Sequence, residues 1–142
     1  MPEDLKALNR RFNKEVIEQG NVDLIDDLVA EDFIEHLPLP GQAQGPEGLR
    51  DLIVMFRSAF PDIRIEWLVE AAEGDVVAGV SRVTATHQGE FMGIPPTGKQ
   101  VSVLASDIAR FRDGKFVERW GFFDQATMME QLGVAPGGPQ SS

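Results

Sequence analysis

A chain of 142 residues, 42% hydrophobic and 25% charged, is the size of one domain that can bury a core without disulfides or structural metal. The absence of cysteine excludes thiol chemistry, and two histidines, His36 and His87, argue against a multi-histidine metal centre. A formal net charge of −10 repels nucleic acid, no apolar run approaches a membrane span, and the opening Met-Pro-Glu-Asp-Leu-Lys lacks the order of a secretory signal, so a soluble cytoplasmic protein is expected.

Leu5, Leu8, Phe12 and Val16 recur at helical spacing opposite Arg10, Arg11, Lys14 and Glu15, and predict an amphipathic helix from about Pro2 to Gln19, ended by Gly20. Asn21 is placed to cap a second, short helix carrying Leu24, Ile25, Leu28 and Val29. The stretch Glu31 to Pro40 leads into a Pro- and Gly-rich loop closing at Gly45. Pro46 then suits the first turn of a third helix with Leu49, Leu52, Ile53, Phe56 and Phe60, stopped by Pro61.

The rest of the chain reads as strands. Ile63, Ile65, Trp67 and Val69 alternate with polar residues, Glu73-Gly74-Asp75 turns the chain, and a second strand runs from Val76 to His87. A loop from Gln88 to Gly98 precedes strands over Val101 to Phe111 and Lys115 to Phe123, joined at Arg112-Asp113-Gly114. Asp124 caps a short final helix with Met128, Met129 and Leu132, ended by Gly133. The order predicts a single α+β domain over residues 1–134, with helices against a curved antiparallel sheet, and a flexible tail over residues 135–142.

Two opposite charges, Asp107 and Arg119, fall inside the last strand pair, and a charge facing a core needs a partner. A two-residue turn at Asp113-Gly114 pairs Asp107 with Trp120 and sends the charges to opposite faces. A three-residue loop with Gly114 in a bulge pairs Asp107 with Arg119, and Ala105 with Gly121, on one face. The second register is the expected one, because its small residues leave open volume beside the charges. Trp120, Ser106 and Ile108 then share the other face and predict a homodimer formed there. The pattern also describes a cross-strand ion pair on a solvated face, worth little in stability.

The strings Ala30-Glu31-Asp32-Phe33-Ile34-Glu35-His36, Gly45-Pro46-Glu47-Gly48-Leu49, Ala59-Phe60-Pro61-Asp62, Thr86 to Lys99 with its central Gly93-Ile94-Pro95-Pro96-Thr97-Gly98, and Asp113-Gly114-Lys115 through Glu118-Arg119-Trp120 together resemble the SnoaL-like polyketide cyclase family. The resemblance implies a cone-shaped α+β barrel enclosing a pocket for a hydrophobic, aromatic polyketide-like ligand. It also implies intramolecular aldol chemistry that uses no metal or cofactor. In the family's cyclases the positions of Arg119 and Gly121 carry His and Asp, and that Asp is the principal acid/base. Here the carboxylate expected to replace it is Asp107, beside Arg119.

His36 resembles the family's polar position at the pocket mouth and is the second candidate for proton transfer. Phe12, Trp67, Arg82, Phe91, Met92 and Gly121 are expected to line the pocket, whereas His87 reads as structural and Asp124 as a helix cap. Two other classes stay open. One is a non-catalytic small-molecule-binding dimer. The other is a small epoxide hydrolase, which needs an Arg between two carboxylates where only Asp107 is apparent.

Overall fold

A computed structural model describes residues 4–134; the tail expected over residues 135–142 lies outside them. Helix α1 (Leu5–Arg11) begins where the Asp4 carboxylate accepts the amides of Lys6 and Ala7. Its turns widen to π spacing over Phe12–Glu18, where the buried Asn13 side chain donates to the Asn9 carbonyl at 2.7 Å. Asn21 makes no side-chain cap. A 3-10 turn over Val22–Leu24 leads into one turn of helix, α2 (Ile25–Leu28), and Val29 opens a strand instead of ending the helix.

That strand, β1 (Val29–Glu35), is followed by α3 (Gly45–Ala59) with Pro46 in its first turn. Then come β2 (Arg64–Glu73), β3 (Val76–Thr86), β4 (Gln100–Arg112), β5 (Lys115–Phe123) and α4 (Gln125–Leu132). Asp124 caps α4, its carboxylate accepting the Thr127 amide and hydroxyl, and Gly133 ends it in the left-handed region.

The sheet order is β1-β5-β4-β3-β2. Three neighbouring pairs are antiparallel, as expected, but β1 runs parallel to β5, so this α+β sheet is mixed and open. No hairpin turn constrains β1 and β5, which are distant in sequence, and a parallel edge pairing is free to form. The helices cover one face through two apolar clusters. One packs Phe12, Val16, Ile25 and Ile53 with Phe111 and Phe116; the other packs Phe60, Phe91, Ile94, Val103 and Met128.

The β4–β5 turn differs from expectation. Asp113 and Gly114 both have positive φ, 55° and 77°, forming a two-residue turn that pairs Arg112 with Lys115 and Phe111 with Phe116. Asp tolerates the left-handed region well enough to serve the first central position, so no third loop residue is required. An irregularity follows: Arg110 pairs with Glu118, leaving Val117 as the extra residue of a bulge. From there Ala109 opposes Arg119, Ile108 opposes Trp120, and Asp107 opposes Gly121. The bulge restores the parity that the short turn would have lost, so Asp107 and Arg119 share a face as diagonal neighbours.

Candidate functional site

The shared face of Asp107 and Arg119 is the concave one. Both line a cavity of about 150 Å³, together with Gly121, Asn13, Gln42 and Ser81. Most of the remaining wall is apolar, including Ile17, Leu52, Phe56, Phe60, Val103 and Met128. A largely apolar cavity with a few polar groups is the usual form of a small-molecule site.

Within it Arg119 joins two carboxylates. Its Nε and Nη2 donate to Asp107 Oδ1 at 3.0 and 2.7 Å, and its Nη1 donates to Glu35 Oε1 at 2.8 Å. Burial works against the guanidinium's charge, but the charges of Asp107 and Glu35 and the hydrogen bonds to them outweigh it and raise its proton affinity above the ordinary arginine value. Arg119 is therefore a fixed cation. Three of its five N–H bonds are engaged in these contacts, leaving two for other acceptors. Oδ2 of Asp107 takes no part in the ion pair.

Glu35 is the residue that sequence reading missed. It is 2% exposed, its Oε2 is buried without a hydrogen-bond partner, and its backbone is clamped by Gln44, which accepts the Glu35 amide and donates to the Glu35 carbonyl. The signal was present in the alternation of β1, where Phe33 and Glu35 are buried while Ile34 points outward. Reading it required a strand in the stretch that leads into the Pro- and Gly-rich loop, where no element is expected from the sequence.

Gly121 has a different role from the one expected. It faces Asp107 rather than Ala105, and the space above it is filled: a Cβ built there would lie 2.6 Å from Arg119 Nη2 and 3.0 Å from Asp107 Oδ1. The guanidinium crosses this glycine to reach the carboxylate on the neighbouring strand. The open volume expected beside Ala105 is therefore not available at position 121.

His36 lies elsewhere. It follows Glu35 by one position and so takes the opposite face, where it stacks on Trp120 (4.3 Å between centroids) and its Nε2 lies 2.8 Å from Glu118 Oε2. The hydrogen bond from His36, together with that from Arg110, holds the Glu118 carboxyl below the usual range despite the opposing effect of desolvation.

Of the other expected wall residues, Phe12 is core, edge-on to Phe116. Trp67 packs its ring over Gly79, where an added Cβ would come within 2.8 Å, and is not on the cavity wall. Arg82 donates to Ser102 Oγ on the other side of the sheet from Ser81 and Val83, which line the cavity. Phe91 is fully buried behind Phe56 and Phe60, and Met92 is 40% exposed in a turn. The core, not the cavity, takes Phe12 and Phe91, because large apolar rings bury most area there.

His87 is buried, its Nδ1 accepting the Thr97 amide and so fastening both ends of the loop after β3. The Asp124 carboxyl is lowered by the hydrogen bonds it accepts from the Thr127 hydroxyl and amide, as a cap should be. Among the described residues no group of three or more histidines and carboxylates is placed to hold a metal ion, and no helix is long and apolar enough to cross a membrane.

Comparison with known proteins gives this geometry a family. IdmH from Streptomyces antibioticus, a proposed polyketide cyclase, is 30% identical, with 93% of this chain and 100% of that one covered and a TM-score of 0.81. AclR from Streptomyces galilaeus, a proposed hydroxylase, is 32% identical over 90% and 94% of the two chains, with a TM-score of 0.78. TsrD from Streptomyces laurentii, at 24% identity, 94% and 98% coverage and a TM-score of 0.83, shares the fold. No curated protein matches the chain at a significant level. The family model described as SnoaL-like polyketide cyclase matches residues 7–132, and the chain belongs to the SnoaL-like polyketide cyclase family.

Proposed function

We propose that this protein is a cofactor-independent cyclase or isomerase that acts on a hydrophobic, aromatic polyketide-like molecule by acid/base chemistry at Asp107 and Arg119. The observation that carries the reading is the Glu35–Arg119–Asp107 chain at the wall of an otherwise largely apolar cavity. Asp107 opposes Gly121, so its carboxylate comes from the strand facing the position at which the family's cyclases carry theirs.

In this reading Asp107 Oδ2 removes a proton from a carbon activated by neighbouring carbonyls, and the resulting enolate oxygen is held by the free N–H bonds of Arg119. The enolate carbon then attacks a second carbonyl, forming the ring bond, and the new alkoxide recovers the proton from Asp107. Glu35 holds the guanidinium in place. Asp107→Asn keeps the size of the side chain while removing the base, and is expected to lower turnover of an anthraquinone-type precursor roughly 10²- to 10⁴-fold. Unchanged turnover with an intact fold by circular dichroism would remove Asp107 as the base, whereas a wild type that binds the precursor without turning it over would favour a binding protein without catalytic activity.

Glu35 also supports a second reading, because it supplies the second carboxylate that an epoxide hydrolase needs around its arginine. Turnover of a small terpenoid epoxide in ¹⁸O-labelled water, with label appearing in a diol, would select that reading over the cyclase. We further propose a homodimer through the outer face of the sheet, where Trp120, Ile108 and Ser106 lie.

A further inference from the structure

Two glutamines in the loop between β1 and α3 use their amides differently. Gln44 engages both ends of its amide on the Glu35 backbone. Gln42 engages only one: its Oε1 accepts the Leu39 amide at 3.0 Å, while its own backbone amide donates to the Leu39 carbonyl at 3.0 Å. That contact fixes which end of the amide is which, since a backbone N–H requires the oxygen. The nitrogen is left over. Nε2 of Gln42 is buried and has no hydrogen-bond partner, and Gln42 lines the same cavity as Asp107 and Arg119.

A buried NH₂ group without an acceptor is uncommon in a folded protein and costs stability unless something completes it. The loop that carries it is tied by Gln44 to Glu35, the residue that holds Arg119, so Gln42 and the ion-pair chain are parts of one framework. We propose that Gln42 is a specificity residue: its Nε2 donates to a carbonyl oxygen of the bound ligand and selects a ketone over a hydrocarbon of the same shape. This rests on the proposed reading of the cavity as a site for an aromatic keto compound.

The test uses a matched pair of probes, 1-acetylnaphthalene and 1-ethylnaphthalene, whose shapes differ by little more than the carbonyl oxygen. Their affinities are measured by equilibrium dialysis for the wild type, Gln42→Met and Gln42→Glu. Gln42→Met retains length but neither polar end; Gln42→Glu keeps an oxygen for the Leu39 amide and loses the donor. The wild type is expected to prefer the ketone roughly tenfold or more, and both variants to lose that preference while retaining the hydrocarbon. A preference that survives in both variants overturns the role of Gln42 and leaves the keto-ligand reading standing. A wild type that binds neither probe, or both equally, removes the keto-ligand reading and the assignment of Gln42 with it.

Discussion

Arg119 and Gly121 work as a matched pair. An arginine on β5 reaches the diagonal carboxylate on β4 only if the residue it crosses has no side chain, and Gly121 meets that condition. A methyl group added there would meet Nη2 at 2.6 Å, too close for both to stay in place. Gly121→Ala is therefore expected to displace the guanidinium, weaken its contact with Asp107 and cost about 1–3 kcal/mol of stability, read from urea denaturation. A midpoint equal to that of the wild type would show that Arg119 has room to move and that the glycine is incidental. Any larger side chain at 121 would meet the same guanidinium and the Asp107 carboxylate.

At the scale of elements, two short turns with positive φ show how much a hairpin depends on its central residues. In the β4–β5 turn, Asp113-Gly114 suits the required geometry. In the loop after β3, Met92 and Gly93 have φ of 50° and 84° between the bridged residues Phe91 and Ile94, and a methionine pays a steric cost in that conformation. Met92→Asn creates the Asn-Gly pair favoured in such turns. It is expected to stabilise the protein by about 0.5–1 kcal/mol, seen as a higher urea midpoint with an unchanged slope. A lower midpoint would show that the half-exposed Met92 side chain makes contacts worth more than the relief of strain. The bulge at Val117 is the opposite case: no turn residue announces it, yet with the two-residue turn it decides which face Arg119 occupies.

For the whole molecule, the outer face of the sheet is the surface that most needs an explanation. On that side of the strands Phe122 is 55% exposed, Leu104 and Ile34 are also exposed, and His36 stacks on Trp120. Arg110, Glu118 and Asp75 form a linked set of ion pairs near them. An apolar surface with polar groups at its margin fits a second copy of the chain. Light scattering at micromolar concentration is expected to give the dimer mass, and Trp120→Glu to give the monomer. A wild-type monomer mass would remove the dimer from the proposal.

The sequence by itself determined the helices, four of the strands, the caps at Asp124 and Gly133 and the family, because these rest on local periodicity, turn chemistry and short motifs that need no knowledge of what lies opposite. It also named the ion pair, though through the wrong turn. Only the tertiary structure decided that β1 is a parallel edge strand, that Glu35 faces inward and His36 outward, and that Gly121 lies beneath a guanidinium. Each of those facts depends on register between segments far apart in the chain, and in a sheet a shift of one residue reverses the face of every side chain beyond it.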